Sequence, residues 1–173
     1  MFKYRSCAKI NSYLNVLSSM PNGYHQINTH FQLIDIFDDM EFIESNVDEF
    51  VTNVNLNDEN NSVIKTINWF NEKFNKKQRF KVKLSKNIPI GAGLGGGSSN
   101  SASTLKFLCK YHGINVDSLD LENICLCLGA DVPVFLQGFS SYAEGYGEIL
   151  NKKYSTNSSY LLLVPNIFVS TRK

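Results

Sequence analysis

Residues 87–104 read NIPIGAGLGGGSSNSAST, with five glycines in the seven positions Gly91 to Gly97. Glycine loses more conformational freedom on folding than any other residue. Such a run therefore weakens a fold unless its backbone must take left-handed angles or approach another group closely. The flanks choose between a floppy linker and a binding loop. Before the run, Arg79 to Lys86 (RFKVKLSK) alternates Phe80, Val82 and Leu84 with charged residues, the period of a half-buried strand. After it, Ala102, Leu105, Leu108, Cys109 and His112 share one helical face and Gly113 supplies a stop. Ser98 or Ser99 is expected to cap that helix. A strand, a glycine loop and a helix N-terminus in this order form an anion site, because free backbone N–H groups and the positive end of the helix dipole point at one place. The context predicts a phosphate-binding loop, with a tight structural turn as the alternative.

Gly91, Gly93 and Gly96 satisfy G-x-G-x-x-G. A dinucleotide fold would need a second strand after the helix and an acid about 20 residues on. Here Asp117 follows directly, placed in the cap of another helix. The P-loop signature requires G-K-[ST] at the helix start, and this loop ends GGGSSN. A protein-kinase glycine loop needs V-A-I-K, H-R-D and D-F-G partners, which the sequence lacks. Phosphate must be bound by some other scheme.

At 173 residues the chain can bury one good core, so one domain is expected. A net charge of +1 gives no electrostatic footprint for nucleic acid or an anionic membrane, and a small-molecule partner fits better. Apolar runs such as Leu161 to Val164 fall far short of the ~20 residues of a membrane span. Met1 to Ile10 carries Lys3, Arg5 and Lys9 without a following apolar stretch, unlike a secretory signal. Cys7, Cys109, Cys125 and Cys127 match neither zinc-site nor C-x-x-C spacing, which predicts reduced, buried thiols and a cytoplasmic setting.

Cys7 to Val16 alternates, placing Ala8, Ile10, Ser12, Leu14 and Val16 on one strand face and Cys7, Lys9, Asn11, Tyr13 and Asn15 on a polar one. Pro21-Asn22-Gly23 signals a turn, and Tyr24 to Ile43 supports further strands. Val47 to Val54 gives a weaker strand signal, and Asn53 to Asn61 a polar surface loop. Asn60 or Asn61 caps a helix with the face Val63, Ile67, Phe70 and Phe74. Another helix carries Leu121, Ile124, Cys125 and Leu128 and ends at Gly129. Short strands are expected around Ser140 to Ala143, Glu148 to Leu150 and Tyr160 to Val164. Strands and helices mix without strict alternation, which reads as α+β.

Three further places could carry chemistry. Asp131 is a lone carboxylate in LGADVPVFL; it either caps a helical turn with Pro133 near its start or serves as a reactive group. Lys9 and Asn11 neighbour each other on a strand face, where polar residues are ordinarily solvated. Gly23-Tyr24-His25 follows a turn, where loops present binding groups.

The ordered series AKINSYLNV, PNGYHQI, PIGAGLGGGSSNSAS, LGADVPVFL and AEGYGEIL resembles the N-terminal part of the 4-diphosphocytidyl-2-C-methyl-D-erythritol kinase family, within the GHMP kinase superfamily. The resemblance runs from Ala8 to about Thr171. Superfamily members at large share a P-x-G-x-G-L-x-S-S-type loop. The triple glycine before Ser98, the GYH and the GADVPVF together are particular to this kinase family. The resemblance implies transfer of the γ-phosphoryl of ATP to a tertiary hydroxyl of a cytidine diphosphate derivative of methylerythritol, in non-mevalonate isoprenoid precursor biosynthesis, with Mg²⁺. It implies Asp131 as base and Lys9 beside it, and Asn11, Tyr24 and His25 as substrate-binding residues. ATP would be held by Pro89, Gly91, Gly93, Leu94, Gly95, Gly96, Gly97, Ser98 and Ser99, with Ser98 or Ser99 as a metal contact. The implied fold is an N-terminal domain with a mixed sheet and helices packed on it, over residues 1–155. Residues 156–173 would begin the connection to a ferredoxin-like C-terminal domain that is largely absent.

Two rival readings stand beside the kinase. One is a nucleotide-binding module without turnover, because the family's second domain is missing. The other is an RNA-associated protein, which wants a basic face that a net charge of +1 does not supply.

Overall fold

The computed structural model describes residues 1–19, 25–56, 61–153 and 158–165. They form a six-stranded sheet of order β3-β4-β2-β5-β6, with β1 pairing β2. β1 (Phe2–Ser19) and β2 (His25–Ser45) make a long antiparallel hairpin, from Phe2 opposite Phe42 to Ser19 opposite His25. The C-terminal half of β2 pairs with β4 (Arg79–Ser85) and its N-terminal half with β5 (Ser141–Gly145), both antiparallel. β3 (Glu49–Thr52) runs parallel to β4, and β6 (Ile149–Lys152) closes the order beside β5. The sheet is thus mixed, and the α+β architecture is as expected.

The parallel β3–β4 pair needs a crossover. α1 (Ser62–Phe74) provides it, capped by Asn61 Oδ1 on Val63 N and burying Val63, Thr66, Ile67 and Phe70. α2 (Gly96–His112) is buried around most of its surface and contacts α1, β1 and α4 (Val132–Gln137). α3 (Leu121–Leu128) follows a 3₁₀ turn at Val116–Ser118, which is capped by Asn115 rather than Asp117. The main core joins Phe42, Phe80 and Phe107 with Phe70, Leu105 and Leu108, and Phe42 stacks on Phe107 with ring centroids 4.1 Å apart. A second, smaller cluster of Ala8, Ile88 and Leu94 pins the glycine loop to β1.

Four expectations need correcting. The first strand extends well beyond Cys7–Val16 and is interrupted by irregularities between Cys7 and Ala8, Asn11 and Tyr13, and Val16 and Ser18. A bulge shifts which face a side chain takes; here Lys9, read onto a solvated face, is buried, whereas Leu14 and Val16 are exposed. The residues after the turn form the single strand β2 rather than several. The helix after the glycine loop begins at Gly96, with Gly95 as its N-cap and no side-chain cap bond, so Ser98 and Ser99 sit inside its first turn. Tyr160 to Val164 is not a strand, and its Leu161 and Leu163 stand exposed. The Pro21-Asn22-Gly23 turn and Tyr24 lie outside the described residues.

Candidate active site

The site is assembled around Lys9. Its backbone N–H donates to the Leu94 carbonyl at 3.0 Å, joining β1 to the glycine loop. Its ammonium lies 3.1 Å from Asp131 Oδ2 and donates to Asn11 Oδ1 at 2.6 Å. Asn11 Nδ2 donates to Thr29 Oγ1 at 2.8 Å, and Thr29 Oγ1 to the Tyr13 carbonyl. This chain of bonds fixes the Lys9 side chain, which is 8% exposed against 28% for Asp131. A buried ammonium requires a counter-charge and full hydrogen bonding, and Asp131 and Asn11 supply both. Asp131 occupies the N-cap position of α4 without making a cap bond, and Pro133 stands in the helix's first turn. The carboxylate therefore serves Lys9 rather than its own helix.

The glycine run brings the α2 N-terminus to the same place. Gly91, Gly93 and Gly95 all have φ of 71°, a left-handed region that side chains disfavour. A side chain at Gly95 would meet the Phe135 ring at 2.8 Å and Lys9 Cγ at 3.0 Å. The loop thus lies directly on Lys9 and on α4. The first intrahelical bond of α2 runs from Ser99 N to the Gly95 carbonyl, which leaves the preceding amides without helical acceptors.

The two serines separate here. Ser99 is buried and hydrogen-bonded with Cys7, whereas Ser98 lines the open pocket and its hydroxyl faces Gly129, two residues before Asp131. Leu94 acts as an anchor, its side chain buried and its carbonyl taken by Lys9. Pro89 and the loop glycines wall a pocket of about 640 Å³, within the usual range for small-molecule sites.

The loop is held from below by a pair that sequence patterning missed. Asp38 is fully buried, and its carboxylate accepts from Lys86 Nζ at 2.6 Å, Asn87 N at 2.7 Å and Ile88 N at 2.8 Å. Lys86 also lines the pocket, as do Asn61 and Asn100. Asn61 Nδ2 and Asn100 Oδ1 are buried without a hydrogen-bond partner among the described residues. A buried amide group left unpaired costs free energy until something pairs with it. The only advance signal was the cap position of Asn61.

His25 pairs with Ser19 at the far end of the hairpin, eight residues along β2 from Leu33, the partner of Lys9. That is roughly 25 Å of strand, so His25 is not brought to the Lys9 and Asp131 pair. No group of three or more His, Cys, Asp or Glu side chains able to hold a metal ion occurs among the described residues. Burial pushes the Cys125 thiol up to about 12, with Glu148, Asp131 and Glu122 adding to the effect. A thiol that high is inert at neutral pH. No helix among the described residues is long and apolar enough to cross a membrane.

Residues 61–139 match the GHMP kinases N terminal domain. The 4-diphosphocytidyl-2-C-methyl-D-erythritol kinase of Francisella tularensis subsp. tularensis (strain FSC 198) is 39% identical over 175 residues, covering 99% of this chain and 64% of that protein. The protein of the same name from Thermoanaerobacter pseudethanolicus is 39% identical over 174 residues, covering 99% of this chain and 60% of that protein. The chain thus spans less than two thirds of the length of these curated relatives. A crystal structure of 4-(cytidine 5'-diphospho)-2C-methyl-D-erythritol kinase superposes with a TM-score of 0.71 at 30% identity, over 88% of this chain and 55% of that one. Phosphomevalonate kinase of Streptococcus pneumoniae, in complex with phosphomevalonate and AMPPNP, shares the fold at a TM-score of 0.59 and 12% identity, over 84% of this chain and 50% of that one.

Proposed function

We propose that the chain, which matches the GHMP kinases N terminal domain over residues 61–139, belongs to an enzyme transferring the γ-phosphoryl of ATP to a tertiary hydroxyl of 4-diphosphocytidyl-2-C-methyl-D-erythritol. The observation that carries this reading is the Lys9 and Asp131 ion pair, 3.1 Å apart and tied through Leu94 to the glycine loop.

Phosphoryl transfer is mostly positioning and charge stabilisation. The loop amides and the α2 N-terminus receive the phosphates, and Ser98 lines the same pocket. Asn61 and Asn100 line the same pocket beside the loop. Asp131 accepts the proton of the attacking hydroxyl as its oxygen bonds to the γ-phosphorus and the bond from that phosphorus to the β–γ bridging oxygen breaks, releasing ADP. Lys9, in contact with Asp131, offsets the charge that develops between them. Asn11, held by Lys9 and Thr29, orients the substrate hydroxyl. Tyr24 and His25 are assigned to the cytosine. Mg²⁺, which usually keeps waters and phosphate oxygens as most of its ligands, fits a site offering the Ser98 hydroxyl rather than a carboxylate cage, and when bound it neutralises phosphate charge.

The test is to measure ATP affinity by titration calorimetry and to look for phosphorylated product with ATP and the cytidyl substrate. Binding with turnover is expected. Binding without turnover would identify a nucleotide-binding module, and absence of binding would overturn the assignment.

A further inference from the structure

We propose that Gly147, in the β5–β6 turn, is a positioning residue that sets where the Asp131 carboxylate stands. The inference rests on the reading of Asp131 as the base. The stretch AEGYGEIL contributes no side chain to the chemistry described above, yet it touches the site through its backbone. Gly147 has φ of 119°, and a side-chain carbon built on it would land on the Ala130 carbonyl oxygen, 3.4 Å from the carbonyl carbon. Any residue but glycine would push the Ala130–Asp131 peptide away.

That peptide is enclosed from other directions too. The Cys125 thiol donates to the same Ala130 carbonyl at 3.8 Å. Val132 N donates to the Gly129 carbonyl at 3.1 Å, closing the turn that contains Ala130 and Asp131. The backstop is itself fastened, with Gly147 N on the Glu144 carbonyl at 3.1 Å and Tyr146 N on Glu148 Oε2 at 2.6 Å. Asp131 makes no cap bond to α4 that could locate it independently. Its carboxylate reaches Lys9 only if the preceding peptide stays where Gly147 and Cys125 hold it. A displacement of about 1 Å in a catalytic group can cost on the order of 10²-fold in rate.

Gly147→Ala tests this, with Gly113→Ala as its control. Gly113 also has a left-handed φ, of 67°, but an added carbon there meets open space. In Gly147→Ala a crystal structure should show the Lys9 and Asp131 pair opened beyond ~4 Å, outside ion-pair contact. Val132 amide exchange should quicken by ~10-fold or more while α1 amides stay protected. The kcat should fall by about 10²-fold with ATP affinity within about 2-fold of wild type, and Gly113→Ala should keep the pair and the rate. Retention of the 3.1 Å pair and of Val132 protection in Gly147→Ala would overturn the proposal, as would equal losses in both variants. Should Gly147→Ala not fold, Glu148→Ala frees the turn at Tyr146 without added bulk. Faster Val132 exchange is then expected, and unchanged exchange overturns the proposal. A wild-type protein without turnover would refute the catalytic reading alone, because the pair distance and the exchange still decide the role of Gly147.

Discussion

The Lys9 ammonium lies 3.1 Å from the Asp131 carboxylate, while the backbone N–H of the same lysine holds Leu94 in the glycine loop. One residue therefore sets the distance between the proposed base and the proposed phosphate site. Lys9→Met keeps the backbone bond and removes the ammonium with its contacts to Asp131 and Asn11. It should lower kcat by about 10²- to 10³-fold, the usual loss when one donor to a developing charge is removed, with a much smaller change in ATP affinity. Comparing kcat with calorimetric affinity in this variant checks the division of labour.

Within the loop, glycines should differ in a defined way. Gly95→Val must displace Phe135 and Lys9, and ATP binding should be abolished while far-UV circular dichroism stays near wild type. Gly93 faces open space, so Gly93→Ala meets only the penalty of its 71° φ, about 1–2 kcal/mol in urea unfolding. ATP should still bind to it.

Asp38 gathers the Lys86 ammonium and two loop amides on one buried carboxylate. Asp38→Ala strands a buried charge and should cost about 3–5 kcal/mol of stability. The same variant should weaken ATP binding, because the loop loses its footing. Urea titration and calorimetry report the two effects separately.

The thiols give a pH prediction. Burial pushes Cys109 up to about 11 and, with the nearby acids Glu148, Asp131 and Glu122 adding to it, Cys125 up to about 12. Their folded values exceed the ordinary thiol value of 9.0, so the unfolded chain ionises first. Stability from these groups is complete below pH 9 and lost as pH rises towards 11–12. At pH 8 a thiol reagent should label the exposed Cys127 rapidly, and Cys109 and Cys125 only on unfolding.

Much of the local structure was legible in the sequence because it repeats. The buried Phe80, Val82 and Leu84 of β4 and the Val63, Ile67 and Phe70 face of α1 follow their periods. Gly113 and Gly129 end α2 and α3. What failed was non-periodic. Irregular register in β1 put Lys9 inside, which no alternation rule foresees. Asp38 and Lys86 lie 48 residues apart, and their meeting follows from β2 pairing with β4. The run Tyr160 to Val164 has strand-like composition, but a strand needs an edge to join, and residues 158–165 find none. Asp131 reads equally well as a helix cap until Lys9 is seen beside it.

The central claim is that Asp131 accepts the proton of the attacking hydroxyl, and Asp131→Asn tests it most directly. Asn preserves the shape but leaves the buried Lys9 ammonium without its counter-charge, so a merely structural role predicts lost stability in urea unfolding without a selective loss of kcat. Loss of a general base typically costs 10²- to 10⁴-fold. Steady-state phosphorylation of the cytidyl substrate should therefore fall by about that factor in kcat, with KM and ATP affinity little altered. Wild-type kcat in Asp131→Asn would contradict the account.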